Sequence, residues 1–152
     1  MPAQGFSKKT IKPFYFLYGQ VKIKYEDIPV KGVAIMDKLM AFAEKKKIKA
    51  SGPVVWMYEH IGNGKTVLRA GFPVKDGKVD PGKFKLEKME PFVCAVAEYK
   101  GAMPEIMEAW EKLNIAIEKK GLVPINHTRE VYKKWIAFDS KKNITDLQIQ
   151  IR

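Results

Sequence analysis

The sequence predicts an α+β fold built from two similar strand-helix-strand-strand modules. Segments with the two-residue period of strands alternate with two segments of helical period, and this order of elements occurs twice. The repetition extends to residues, since "AFAEKKK" at 41–47 matches "IAIEKKG" at 115–121. An internal duplication would explain these observations. The turn-rich connector with Asp76-Gly77 and Asp80-Pro81-Gly82 then separates two halves, about 11–76 and 83–152.

The first half begins after residues 1–10, which lack periodicity and are expected to be a mobile tail ahead of a single domain over 11–152. Val21, Ile23 and Tyr25 alternate with polar residues, which predicts a strand that reaches back to Phe14. A helical stripe follows, with apolar residues at Met36, Leu39, Met40 and Ala43. Next come the strands "VVWMYEH" and "VLRAGFPV", joined by Asn63-Gly64, a strong hairpin signal.

The second half repeats this plan with the strand "PFVCAVAEY" and a helix that starts at Pro104, a favoured first helical residue. The helix has an apolar stripe and ends before Gly121. Its stripe consists of Ile106, Trp110, Leu113 and Ile117. "REVYKKW" and "TDLQIQIR" are the last two predicted strands.

Composition limits the classes of partner. The net charge of +11 favours anionic partners, but the chain has few arginines and no helix-turn-helix, zinc-finger or RNA-recognition pattern, so sequence-specific DNA binding is not expected. No apolar run is long enough for a membrane helix or a signal peptide, so we expect a cytoplasmic protein without a membrane partner. Cys94 lies in an apolar run and is expected to be a small buried hydrophobe.

Glu130 is unusual because strand interiors disfavour glutamate. Strand side chains alternate, so Glu130 shares a face with Tyr132, and the repeat places Trp56 and Tyr58 on the equivalent face of the first half. We expect the intervening residues to point towards the helices. These are Val55, Met57 and Val131.

Several segments resemble the gyrase-inhibitor-like (GyrI-like) family, which includes effector-binding domains of multidrug-responsive bacterial transcription regulators. The resembling segments are "GPVVWMYEH", "AGFPV", "AEYKGAMPEIMEAWEKL", "EKKGLVPINHTREVY" and "NITDLQIQI". The resemblance implies a curved antiparallel sheet with pseudo-twofold symmetry, two helices on one side and a ligand cleft on the other. Two departures affect ligand identity rather than fold: Gln150-Ile151 replaces the family's Pro-Val pair, and "PINHT" lacks a glycine.

The resemblance also implies the site. Glu130 matches a buried glutamate that faces the cleft in drug-binding members, and Tyr132 matches the tyrosine of the same motif. A buried carboxylate loses hydration and needs compensation from a donor or a cation, so the expected ligand is an amphipathic or cationic organic compound. The candidate ligand-binding residues are Trp56, Tyr58, Phe72, Tyr99, Trp110, Glu130 and Tyr132. No cofactor is expected, and His60 and His127 have no partner at metal-ligand spacing.

Three functions fit these residues. The favoured one is a stand-alone module that binds a small molecule, as in the family's effector-binding domains. The second is a hydrolase of cyclopropane-containing toxins, known in one branch of the family, with Glu130 as acid or base and Tyr58 orienting water. The third is a modulator of DNA gyrase or a partner of a regulator, as the family name suggests. Binding and hydrolysis would use the same residues, so both functions stay open at this point.

Overall fold

The computed structural model describes residues 6–152, and the chain divides into two compact units. The N-terminal unit is Lys12–Pro91. The C-terminal unit contains Phe92–Arg152 together with the strand β1, Ser7–Ile11. The N-terminal unit thus extends to Pro91, whereas the predicted first half ends at about residue 76. The strand β1 belongs to the C-terminal unit rather than to a separate tail.

The N-terminal unit is a four-stranded antiparallel sheet with one helix, in the strand order β3-β4-β2-β5. A single 3-10 turn, Tyr25–Asp27, leads from the first strand into the helix. Its elements are β2 (Phe14–Lys24), α1 (Ile28–Lys46), β3 (Val55–Gly62), β4 (Lys65–Val74) and β5 (Lys85–Met89).

The C-terminal unit also consists of a four-stranded antiparallel sheet and one helix, and its strand order is β1-β6-β8-β7. The 3-10 turn Met103–Glu105 precedes its helix. Its further elements are β6 (Phe92–Lys100), α2 (Ile106–Lys119), β7 (Pro124–Lys134) and β8 (Ile144–Ile151). Each unit therefore contains the predicted strand-helix-strand-strand module, and the α+β class is confirmed.

Each unit also has one strand that the sequence analysis did not predict. Strand β1, which lies in the segment expected to be a tail, pairs with β6. Strand β5, which lies just after the predicted connector, pairs with β2. Both strands are short and most of their side chains are exposed. Their pairing depends on backbone hydrogen bonds rather than on one buried face, so no apolar alternation marks them. Residues 1–5 of the expected tail lie outside the described part of the chain.

The helices cover one face of each sheet. In the N-terminal unit Leu39 and Ala43 of α1 pack with Leu17, Phe72 and Val74. In the C-terminal unit the predicted stripe of α2 is confirmed, because buried Leu113 and Ile117 pack against the apolar side of β6 and β8. That side consists of Ala95, Leu147, Ile149 and Ile151.

The turn signals are also confirmed. Asn63 and Gly64 both have positive φ, 58° and 71°, and they connect the paired residues Gly62 and Lys65 as a two-residue hairpin loop. Gly121 has φ 74° and follows Lys120, the C-cap of α2, in the conformation that favours glycine at a helix end.

Cys94 is buried, as expected for a small hydrophobe. Burial raises the pKa of its thiol to about 11, which keeps the thiol protonated near neutral pH and unsuited to act as a nucleophile. Within residues 6–152, no helix is both long enough and apolar enough to cross a bilayer.

Candidate functional site

The side chain of Glu130 lies inside the C-terminal unit, where only 7% of the residue is exposed. Two aromatic side chains donate hydrogen bonds to its carboxylate. The indole Nε1 of Trp110 donates to Oε2 at 3.1 Å, and the hydroxyl of Tyr132 donates to Oε1 at 2.5 Å. Both donors are neutral side chains, and together they hold the two oxygens of the carboxylate in place.

The local structure explains this arrangement. Glu130 and Tyr132 are two residues apart on β7, so their side chains leave the same face of the strand. Trp110 belongs to the apolar stripe of α2, which packs onto that face. The structure therefore brings together three of the predicted site residues: Trp110, Glu130 and Tyr132.

The expected direction of these side chains was wrong. Glu130 stands opposite Leu147 in the ladder, and Leu147 packs in the cluster under α2. Since directly paired residues of an antiparallel ladder share a face, Glu130 points towards the helix and Val131 points away from it. The hydrogen bond from Trp110 agrees with this direction.

The N-terminal unit shows the same reversal. Trp56 and Tyr58 pack in a cluster with Ile35 and Met36 of α1. A Cβ added to Gly32 of α1 would lie 2.3 Å from the indole of Trp56, so the helix needs a glycine where the ring meets it. Trp56 and Glu130 occupy equivalent positions in the repeat, and their side chains also point in equivalent directions, because each faces the helix of its own unit.

The cause of the error is that both faces of β3 are buried. Val55 and Met57 are 4% and 5% exposed although they point away from α1. Alternation therefore could not distinguish the helix-covered face. The small residues Gly32 and Ala70, which make room for a large ring, were the available signal.

Two other predicted ligand residues lie elsewhere. Phe72 is 2% exposed in the core of the N-terminal unit. The hydroxyl of Tyr99 donates to the carbonyl oxygen of Ala102 at 2.6 Å. Tyr99 faces Thr145, which in turn faces Tyr132, so two strand spacings, about 10 Å, separate Tyr99 from the strand of Glu130.

Tyr99 instead lines a pocket of about 560 Å³ between β6 and α2. Ala97, Leu113 and Leu147 provide apolar walls, and glutamates and lysines line the rest. The burial of Tyr99 and the nearby carboxylates of Glu105 and Glu108 raise the pKa of its hydroxyl. The residues that line this pocket do not include Glu130, Trp110 or Tyr132.

Arg129 was not among the predicted site residues; it is 5% exposed and lies on the face of β7 opposite to Glu130. Its guanidinium carbon lies 3.7 Å from the centre of the Phe92 ring, a cation–π contact. Burial lowers the pKa of Arg129 to about 10. The scarcity of arginine in this lysine-rich chain was the only sequence signal for a special role.

Comparison with known proteins gives matches in structure only. No protein-family model matches the sequence, and no curated protein matches it either. The C-terminal domain of EcmrR has a TM-score of 0.73 at 15% identity, with 97% of this chain and 96% of that chain covered. SAV2435 bound to tetraphenylphosphonium has a TM-score of 0.70 at 13% identity, covering 97% and 93%. A hydrolase from Listeria innocua has a TM-score of 0.61 at 12% identity, covering 98% and 92%.

The chain has the fold of a GyrI-like effector-binding domain. The GyrI-like resemblance inferred from short segments is thereby confirmed for the fold, over nearly the whole chain. A full EcmrR complex with DNA also matches, and there the shared GyrI-like fold covers 57% of that longer chain. The assignment of individual ligand residues stays a prediction.

Proposed function

We propose that this chain binds an amphipathic organic cation and that the carboxylate of Glu130 is the counter-charge. The observation that carries the proposal is a carboxylate, 7% exposed, that accepts hydrogen bonds from two aromatic side chains, Trp110 and Tyr132. Burial removes much of the water that stabilises a charged carboxylate. A lipophilic cation would return the lost electrostatic stabilisation without bringing its own strong hydration.

The aromatic neighbours fit the same ligand class. The indole of Trp110 and the phenol of Tyr132 offer π faces that attract a cation within about 6 Å of a ring centre. Their hydrogen bonds hold the carboxylate in one position, so little conformational freedom would be lost on binding. The fold supports this proposal, because SAV2435 has the same fold and binds tetraphenylphosphonium, a lipophilic cation.

The Glu130→Gln variant tests the proposal. Calorimetric titration with tetraphenylphosphonium is expected to show binding weakened about 30-fold, because a desolvated charge contact contributes about 2 kcal/mol. Glutamine keeps the shape of the site: its carbonyl can accept from Trp110, while its amide can donate to the hydroxyl of Tyr132. The melting temperature is therefore expected to change little.

The matched control is Glu111→Gln, which removes the same charge from an exposed position on α2 next to Trp110. It should bind tetraphenylphosphonium like the unchanged chain. Neutral triphenylphosphine oxide should bind Glu130→Gln and the unchanged chain alike. Equal affinity of all three proteins for the cation would contradict the role of Glu130.

A hydrolase is the second candidate, and one contact favours it. The hydroxyl of Tyr132 lies 2.5 Å from Glu130, so the carboxylate and phenol form an acid-base pair in a buried setting. Two similar structures are of hydrolases from Listeria innocua. In this reaction Glu130 would accept a proton from water as the water oxygen bonds to a cyclopropane carbon. One C–C bond of the ring would break and leave its electron pair on the opened chain, and the proton would pass from Glu130 to that chain.

Incubation with a cyclopropane-containing alkylating natural product tests this second function. Mass spectrometry is expected to detect a product heavier by one water, and Glu130→Gln should form it at least about 100-fold more slowly. A product formed equally fast by Glu130→Gln, or no product at stoichiometric protein, would rule out the hydrolase. The gyrase role stays a prediction without further support.

A further inference from the structure

The loop between β7 and β8, residues 135–143, exposes three large apolar side chains. Trp135, Ile136 and Phe138 are 49%, 55% and 51% exposed. Isolated exposed hydrophobes are common on protein surfaces, but three within four residues form a cluster that calls for an explanation.

Hydrogen bonds hold this loop in shape. Asn143 is fully buried, and its Oδ1 accepts from the Ile136 amide at 2.7 Å while its Nδ2 donates to the Ala137 carbonyl at 2.7 Å. The Phe138 carbonyl also accepts from the Met103 amide at 2.9 Å. The rings of Tyr132 and Trp135 meet edge to face, with centres 5.6 Å apart. The exposure of the apolar side chains is thus built into an ordered loop.

Positive charge flanks the apolar cluster on both sides. The segment reads "KKWIAFDSKK", with Lys133 and Lys134 before the cluster, Lys141 and Lys142 after it, and the single acid Asp139 within it. All four lysines are exposed, but Lys133 forms ion pairs with Glu98 at 2.8 Å and Asp146 at 3.4 Å, so the positive charge of this surface rests on Lys134, Lys141 and Lys142. The loop therefore combines an apolar tip with a cationic base.

We propose that this loop docks onto the surface of an anionic lipid bilayer, with Trp135, Ile136 and Phe138 inserted among the headgroups. Tryptophan favours the membrane interface, and lysines near the surface are attracted by anionic lipids. A second copy of the chain is disfavoured because pairing would bring lysines of both copies together. The exposed apolar area, roughly 300 Å², is also well below the roughly 800 Å² that each partner buries in a stable protein interface.

Such docking differs from the expectation of no membrane partner, which rested on the lack of a spanning segment. A loop that inserts only its tip needs no spanning segment. The proposal does not depend on a ligand at Glu130.

Co-sedimentation of the full chain with phosphatidylcholine vesicles, with and without phosphatidylglycerol, tests the proposal. Binding is expected only with phosphatidylglycerol, and it should fall as salt screens the charges. The variants Trp135→Ser/Phe138→Ser and Lys141→Glu/Lys142→Glu should each bind at least about tenfold more weakly.

Two matched controls distinguish this loop from a general basic surface. Lys78→Glu/Lys83→Glu changes the net charge equally at exposed positions of the N-terminal unit, and Val30→Ser removes an apolar residue that is 72% exposed. Both should bind like the unchanged chain. Absence of vesicle binding, or equal loss in Lys78→Glu/Lys83→Glu, would overturn the proposal. So would a dimer in sedimentation velocity that Trp135→Ser/Phe138→Ser abolishes, because a second copy would then cover the loop.

Discussion

Replacing Gly71 by alanine is expected to lower the free energy of unfolding of the N-terminal unit by about 4 kcal/mol. A Cβ at this position would lie 1.9 Å from the carbonyl oxygen of Leu17 and 2.7 Å from the Cα of Tyr18. Both are backbone atoms of β2, so relief of the clash requires β2 and β4 to separate and their pairing to weaken. Urea unfolding followed by circular dichroism measures the loss.

Gly64→Ala separates this clash from the general effect of losing a glycine. Gly64 has φ 71° and no atom within 4 Å of an added Cβ, so alanine there should cost only about 1 kcal/mol of backbone strain. A loss for Gly71→Ala no larger than that for Gly64→Ala would show that β2 and β4 can move apart without cost.

Replacing Gly32 by valine is expected to lower the free energy of unfolding by about 3 kcal/mol through overpacking against Trp56. Glycine in a helix interior normally destabilises, so a larger residue would be expected to help. Here an added Cβ would lie 2.3 Å and 2.5 Å from two ring atoms of Trp56. The indole is rigid and packs within the cluster under α1, so it cannot move aside without disturbing that packing.

A double-mutant cycle checks the cause. In a Trp56→Ala background, Gly32→Val should cost less than about 1 kcal/mol, because the ring is gone. Lys31→Val, at the exposed neighbouring position, controls for valine in the helix and should have little effect. An equal cost of Gly32→Val with and without the ring would exclude Trp56 as the cause.

Much of the fold could be predicted from local patterns. The stripe of α2, the Asn63-Gly64 hairpin and the alternation in β8 each reflect a direct physical requirement of one element. β1 and β5 could not be predicted, because their pairing uses backbone groups that every residue has.

The candidate site was predicted in part. Glu130 and Tyr132 were assigned to one face from their spacing, and their hydrogen bond agrees with it. Trp110 was proposed, like Phe72 and Tyr99, from its position in the segments that resemble the family, and the tertiary structure brings it to Glu130 across 20 residues of sequence. Phe72 and Tyr99 were grouped with them by resemblance, yet the fold places Phe72 in a core and Tyr99 beside another pocket.

The sequence by itself determined which residues share a face, since side chains alternate along every strand. The sequence thus determined that Glu130 and Tyr132 lie on one face of their strand, and that Trp56 and Tyr58 lie on one face of theirs. Only the tertiary structure decided which of the two faces each helix covers. Both faces of β3 are buried, so its alternation has no preferred direction until Gly32 lets α1 approach the ring of Trp56. Helix packing, which depends on contacts distant in sequence, therefore directs Glu130 towards Trp110.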